Sequence, residues 1–298
     1  MIEVPESFRA MPRWWAATPS ERRWLADLPH LVRRWCERWH LTVDGAPRHG
    51  SNALVVPVRR EEQAAALRLA PPGDDVAALS AALRFWRGRG VVTELASEAV
   101  AGVLLLERLD ADTSLAHEPL HFAMTEIGRT ARRLAVPAGD DRAAGIRHTS
   151  DDVAEGTPQL RTVWERLGRP FDRGVLDVAT DAASVILAGD REPVAVNADL
   201  HFDQVLRHPD GRWCVVDPVL RRGDVERTAV DALWHRVDEL ADTEIPAQLD
   251  LLVEAGELDG ELARAWALWR ITDYRLWGLE HGLTEDPPRC ARLLRALS

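Results

Sequence analysis

Two aspartates stand where a hairpin could present them together. Asp199 follows the short apolar run Pro193 to Val196 through Asn197-Ala198, and Asp217 follows Trp213-Cys-Val-Val216, with Val205-Leu206 and a Pro209-Asp-Gly211 turn between them. Short, rigid strands can hold one carboxylate as a general base and another as a metal ligand facing one crevice. Phosphoryl transfer needs both parts. One carboxylate orients the attacking hydroxyl and accepts its proton, and the other holds Mg²⁺ against the phosphates. The spacing alone leaves a second reading open, because aspartates at hairpin ends also serve as turn formers and caps.

The elements that must position these residues follow from periodicity and punctuation. Between Pro5 and His40, Trp14, Trp15, Trp24, Leu25, Leu28, Leu31, Val32, Trp35 and Trp39 recur at helical spacing and predict amphipathic helices. Leu41 to Gly45, Leu54 to Val58 and Ala64 to Leu69 read as strands, the last two as a hairpin turning over Arg59 to Gln63. Pro71-Pro72-Gly73 breaks the chain, and Asp74-Asp75 can cap a helix from Val76 to about Arg87. Strands are expected at Val91 to Leu95 and Gly102 to Leu106. Helices are expected over Leu115 to Leu134, Asp152 to Leu167, Val175 to Ala188 and most of Thr228 to Ser298, with a loop from Ala138 to Thr149. The fold class is therefore α+β, with a β-rich N-terminal part over residues 1–109 and a helical part over residues 110–298.

Composition removes several function classes. A net charge of −11 disfavours nucleic acid, and no basic stripe with interleaved aromatics appears. No stretch approaches the roughly 20 apolar residues of a membrane span, and the start lacks a signal-peptide layout, so the expected setting is cytoplasmic without membrane partners. Cys36, Cys214 and Cys290 have neither zinc-site nor disulfide spacing and read as buried thiols. All 37 basic residues are arginine, which excludes Schiff-base lysine chemistry and the lysine-bearing phosphate loop. From Gly223 to Ser298 there are 16 Asp and Glu against 8 Arg, either solvated helix faces or a field that attracts a cationic ligand.

The order of these segments resembles the aminoglycoside phosphotransferase family, most closely its streptomycin and hydroxyurea kinase branch. Trp39-His-Leu-Thr-Val-Asp-Gly45, His49-Gly50, Leu54-Val-Val-Pro-Val58, Leu83-Arg-Phe-Trp86 with Gly88-Arg-Gly90, and Leu104-Leu-Leu-Glu-Arg-Leu109 carry the likeness, which spans roughly Arg33 to Trp277. The resemblance implies a bilobal protein-kinase-like fold and ATP, or alternatively GTP, with Mg²⁺. Gly50, Ser51 and Asn52 then match the loop over the phosphates, where small residues admit oxygen to backbone N–H groups. Arg68 falls where the family carries a phosphate-gripping lysine, and Glu107 to Leu109 match the hinge whose backbone pairs with adenine. Asp199 matches the catalytic base, Gln204 and Asp217 the metal ligands, and Asp231 a buried aspartate that tethers the catalytic loop. His201 reads as structural.

Departures from the family pattern bear on activity. Arg68 replaces lysine, Gln204 replaces asparagine, and Asn197-Ala198 replaces His-Gly. Ala77-Ala78-Leu79-Ser80 stands where the helix should offer a glutamate to pair with the strand cation. The expected function is ATP-dependent transfer to a hydroxyl of a small amine- or guanidine-bearing antibiotic or related natural product. A pseudokinase or a metabolite kinase, as for choline or homoserine, is the alternative. Asp224, Glu226, Asp273, Trp277 and Glu280 are candidates for holding the acceptor, and the protein is expected to be a monomer or weak dimer.

Overall fold

A computed structural model describes residues 2–11, 18–138, 145–189 and 191–298. Trp14 and Trp15 lie outside the described residues, as does most of the expected loop between Ala138 and Thr149. The chain divides into two compact units, Met1–Ala111 with Arg207–Cys214, and Asp112–Leu206 with Val215–Ser298.

The first unit opens with α1 (Glu6–Ala10) and α2 (Pro19–Trp39). Thr18 and Glu21 form a capping box at the start of α2, satisfying amides that would otherwise lack partners. Leu28, Val32 and Trp35 form its buried stripe, packed with Phe8 against strand residues Leu54, Val56, Val58, Ala65 and Leu67. Those strands belong to a six-stranded antiparallel sheet made of β1 (Thr42–Val43), β2 (Arg48–His49), β3 (Leu54–Arg60), β4 (Gln63–Leu69), β5 (Glu94–Glu98) and β6 (Val103–Glu107). Its order is β1-β3-β4-β6-β5, with β2 also on β3. The β3–β4 hairpin is as expected, except that its turn contracts to Glu61-Glu62, with Glu61 left-handed at φ 55°. The strand expected at Val91 to Leu95 is β5, three residues later. The apolar pair Val91-Val92 is buried outside the strand, whereas the half-buried Glu-Leu-Ala-Ser-Glu run makes the pairing, with a bulge between Glu94 and Ala96. Helix α3 (Val76–Phe85) starts where expected, Asp75 accepting a hydrogen bond from the amide of Ala78 at 2.9 Å.

The second sheet has the order β10-β9-β7, from β7 (Asp110–Ser114), β9 (Val205–Arg207) and β10 (Trp213–Val215). The long helix expected from Leu115 is broken by Pro119: a 3-10 turn covers Leu115–His117, and α4 runs over Leu120–Leu134. Then come α5 (Thr149–Arg166) and α6 (Gly174–Leu187). The strand after them, β8 (Val194–Asn197), pairs antiparallel with β11 (Leu220–Gly223), which the sequence reading lacks. Leu-Arg-Arg-Gly carries no alternation of apolar and polar residues, so its strand character comes from its partner. Helices α7 (Thr228–His235), α8 (Ile245–Gly256), α9 (Gly260–Glu280) and α10 (Asp286–Leu297) complete the unit, with Trp266 and Trp269 buried on α9. The α+β class is as read from the sequence. Cys214 and Cys290 are buried thiols, while Cys36 is only partly covered. Among the described residues no helix is long and apolar enough to cross a membrane.

Candidate active site

Asp199 sits two residues beyond the end of β8, in a turn built by side chains that bond to the backbone. Asn197 is 2% exposed, and its Oδ1 accepts from the amide of Asp199 at 3.2 Å and from that of Val219 at 2.9 Å. One buried amide thus ties the Asp199 turn to the entry of β11. The backbone adds a bond from the Ala198 amide to the Val219 carbonyl at 2.8 Å. Asn197, which departs from the expected histidine, therefore serves as acceptor for two amides that would otherwise be unsatisfied.

The carbonyl of Ala198 accepts from Arg227 Nη1 at 2.7 Å, and the same nitrogen lies 3.4 Å from Asp231 Oδ2. Arg227 is 7% exposed. Burial pushes its ionisation down and pushes that of Asp231 up, and each is opposed by the charge of the other. The expected tether, Asp231, thus acts through Arg227, which makes the bond to the loop. Nothing in the sequence singles out this arginine among the basic residues.

Gln204 ends the 3-10 turn Phe202–Gln204. Its Nε2 donates to Asp199 Oδ2 at 2.8 Å, and its backbone carbonyl accepts from the amide of Val216 at 2.9 Å, one residue before Asp217. Gln204 therefore links the segments that carry the two aspartates. With the nitrogen committed to Asp199, Oε1 is left buried with no hydrogen-bond partner. An orphaned buried amide oxygen suits a hard cation, which takes oxygen donors. It is an oxygen donor of the kind that Mg²⁺ prefers.

On the same turn, the His201 ring stacks on that of His235, and Asp203 lies beside both. The imidazole of His201 holds the Asp203 carboxylate below its ordinary range, and burial pushes His235 down to about 4.

In the first unit, Arg68 is 7% exposed on β4, opposite Val55 of β3 and Leu104 of β6. Leu104 in turn faces Ser97 of β5, so Arg68 and Ser97 share one sheet face. Above that face Ser80 of α3, 1% exposed, donates to a carboxylate oxygen of Glu94 and lies 3.3 Å from the Ser97 hydroxyl. Arg84 approaches the other Glu94 oxygen at 3.5 Å. A carboxylate, Glu94, thus stands on the strand beside α3, held by Ser80 and Arg84.

The phosphate-loop candidates form a tight turn in which Gly50 donates to the Ala53 carbonyl at 3.2 Å. A Cβ on Gly50 would meet nothing within 4 Å, so no steric demand fixes glycine there. Asn52 Nδ2 donates to Asp74 Oδ1 at 2.5 Å, fastening the loop to the segment before α3. At the hinge the Glu107 amide already donates to the Thr93 carbonyl at 2.9 Å, and its carboxylate accepts from the Thr93 amide at 2.8 Å. The amide of Leu109 makes no backbone hydrogen bond among the described residues. Arg108 between them donates to the carbonyls of Val58 and Ala65 and to Asp44, stitching the hinge to β3 and β4.

The acceptor candidates fall in three places. Asp224 is an internal anchor: both oxygens accept from Arg191, at 2.9 and 3.1 Å, and Trp266 Nε1 donates to Oδ2 at 3.0 Å. Glu226 beside it accepts from the amide of Asp259 at 3.1 Å. These two carboxylates are engaged within the fold rather than offered to a ligand. Glu280 pairs with Arg166, and the Trp277 ring lies between Tyr274 and His281, at 5.6 and 4.3 Å. Of these candidates Asp273 alone joins the charged group near the Asp199 turn. It pairs with Arg270 at 3.4 Å, and burial and the charge of Asp152 raise its ionisation. Arg270 also acts on Asp231, as does Asp199. The sequence reading passes over Asp152 and Arg270.

Comparison with known proteins agrees with this geometry. The family model for the aminoglycoside/hydroxyurea antibiotic resistance kinases matches residues 38–282. Streptomycin 6-kinase of Streptomyces griseus is 33% identical over 287 residues, covering 93% of this chain and 91% of that protein. Hydroxyurea phosphotransferase of Kitasatospora aureofaciens is 33% identical over 296 residues, covering 97% and 84%. Among solved structures, aminoglycoside phosphotransferase APH(4)-Ia superposes with a TM-score of 0.63 at 15% identity, covering 90% of this chain and 99% of that one. The choline kinase LicA of Streptococcus pneumoniae does so with 0.58 at 12%, covering 90% and 99%. Those likenesses establish the protein-kinase-like fold. The chain belongs to the aminoglycoside/hydroxyurea antibiotic resistance kinase family and is a phosphotransferase.

Proposed function

We propose that the protein transfers the γ-phosphoryl group of ATP to a hydroxyl of a small cationic antibiotic or related natural product. The observation that carries this reading is the bond from Gln204 to Asp199 Oδ2. It fixes the carboxylate in one orientation and leaves Oδ1 to accept the proton of the acceptor hydroxyl. As the hydroxyl oxygen bonds to the γ-phosphorus, that proton passes to Asp199, the bond to the β-phosphate oxygen breaks and ADP leaves.

Gln204 Oε1 and the Asp217 carboxylate are the oxygens that would hold Mg²⁺. When bound, the ion neutralises charge on the phosphates. Arg68 takes the phosphate-gripping role of the usual lysine, with a planar fork in place of a point charge. The turn of Gly50, Ser51 and Asn52 covers the phosphates. At the hinge Leu109 supplies the free amide for the adenine edge, with Glu107 contributing its position on β6 rather than its amide. Of the acceptor candidates Asp273, with its partner Arg270 at 3.4 Å, is the carboxylate best placed to draw an amine or guanidine, since Asp224 and Glu226 are engaged by Arg191 and the Asp259 amide.

The test is transfer from radiolabelled ATP with Mg²⁺ to a panel containing streptomycin, hydroxyurea and choline. A singly phosphorylated product is expected for a cationic member, and Asp199→Ala should lower kcat by about 10²–10⁴-fold with nucleotide affinity nearly kept. Asp217→Ala should weaken binding of Mg·ATP as well. No transfer to any compound, with no thermal shift on adding Mg·ATP, would instead establish a pseudokinase.

A further inference from the structure

His201 and Asp203 bracket the start of the 3-10 turn that ends in Gln204, and His235 closes α7. The two imidazoles lie face to face, with centroids 4.0 Å apart and planes 9° from parallel. In this pose both Nδ1 atoms address one carboxylate oxygen. Asp203 Oδ2 is 3.6 Å from His201 Nδ1 and 4.0 Å from His235 Nδ1. Neither separation is a hydrogen bond, and His201 Nδ1 is buried without a partner. The transferase chemistry uses none of the three side chains.

One ligand atom from each residue lies within 4.8 Å of the other two. Tetrahedral coordination with metal–ligand bonds of about 2.0–2.2 Å places neighbouring ligand atoms roughly 3.4 Å apart. Because the stacked rings are nearly parallel, their in-plane lone pairs do not converge, and closing the triad takes rotation of one imidazole out of the stack; the side chains of Asp203 and His235, 68% and 27% exposed, have room for it. Two imidazole nitrogens and one carboxylate suit zinc and its late first-row neighbours, whereas Mg²⁺ selects oxygen-only sets. Three protein ligands with an open side leave a fourth position to water.

We propose that His201, Asp203 and His235 form a binding site for a zinc-class divalent ion, distinct from the magnesium site of Gln204 and Asp217. Such an ion cross-links the turn that carries Gln204 to the C-terminal end of α7. The site stands independently of the transfer reaction.

The experiment uses the full chain, stripped of metal with a chelator and without nucleotide. Co²⁺ is titrated while the visible ligand-field bands are followed, and Zn²⁺ is then added in competition, with calorimetry for stoichiometry. One equivalent of Co²⁺ should give the intense bands of a four-coordinate ion, displaced by Zn²⁺ and unaffected by excess Mg²⁺. Asp203→Asn and His235→Ala should each weaken affinity by at least about tenfold. His235→Gln, which keeps more of the side-chain volume, guards against loss of fold, checked by circular dichroism. Absence of four-coordinate bands overturns the proposal, and so does binding that survives the substitutions, because the ion would then sit elsewhere.

Discussion

The turn around Asp199 and the sheet that carries Arg68 both hold a charged residue in position, by different means. In the turn, side chains do the positioning: Asn197 accepts two amides, Arg227 holds the Ala198 carbonyl and Gln204 holds the carboxylate itself. In the sheet, register does it. Arg68 lies on a strand paired on both sides, and any residue at that position would leave the backbone at the same point. The difference explains how the family pattern has changed in each region. The departures in the turn, Asn197 and Gln204, each make hydrogen bonds that hold it. A replacement in the sheet changes the side chain and leaves the frame alone, and the carboxylate beside α3 is Glu94 on β5, held by Ser80 and Arg84.

The comparison breaks most visibly if the turn is as insensitive to its side chains as the sheet. Arg227→Met removes the cation that holds Ala198 and leaves Asp231 enclosed without its partner. Losing one member of such a pair costs about 3–5 kcal/mol, so a large fall in thermal midpoint is expected, with kcat falling too because the Asp199 turn loses its tether. Arg227→Met with Asp231→Leu should recover much of the stability and little of the activity. A single variant that melts like wild type would show that the turn is held by its backbone alone.

Asn197→Ala probes the same region at lower cost. Two amides lose their acceptor at once, worth roughly 2–3 kcal/mol together. Chemical denaturation measures the loss, and kcat is expected to fall more than the KM for ATP rises, since the nucleotide-side residues are untouched.

Ser80→Glu sharpens the sheet side of the comparison. Restoring a glutamate to α3 looks like a repair, but in the structure it sets a second carboxylate against Glu94 in a place that is 1% exposed. Crowding and like charge should destabilise by roughly 1–3 kcal/mol, read by thermal melting. The exchange Ser80→Glu with Glu94→Ser should recover more than half of that loss, and an activity equal to wild type would then confirm that either element can supply the carboxylate.

What could be read from the sequence follows the same division. The β3–β4 hairpin, the cap at Asp75 and the strands around Pro209-Asp-Gly211 are legible because alternation and turn residues are local signals. β11 is not, because Leu-Arg-Arg-Gly becomes a strand only by pairing with β8. Asp199, Gln204 and Asp217 are singled out through the family resemblance, which does not reveal that the Gln204 nitrogen is spent on Asp199. Arg227 is invisible, since burial of one arginine among many depends on helices distant in sequence. The acidic excess near the C-terminus misleads for Asp224 because its partner, Arg191, lies upstream of that acidic stretch.

The smallest expected effect belongs to neither region and calibrates both. Tyr274 is the only tyrosine in the chain, and it donates to Asp286 Oδ2 at 2.7 Å, joining α9 to α10. Burial first, and then the hydrogen bond and charge of Asp286, push its ionisation well above the ordinary value of 10.0. A group whose folded value is raised contributes stability that is fully present below the unfolded value and lost as pH rises beyond it. Phenolate absorbance should therefore stay absent through the pH range where a free tyrosine ionises, and rise only together with loss of the far-ultraviolet dichroism. Asp286→Asn keeps a hydrogen-bond acceptor but removes the charge, so part of the phenolate signal should move to lower pH while the fold persists. If Tyr274 instead titrates normally in the folded wild type, its ring is open to water, and the α9 aromatic row of Tyr274 and Trp277 becomes a surface for the acceptor rather than helix packing.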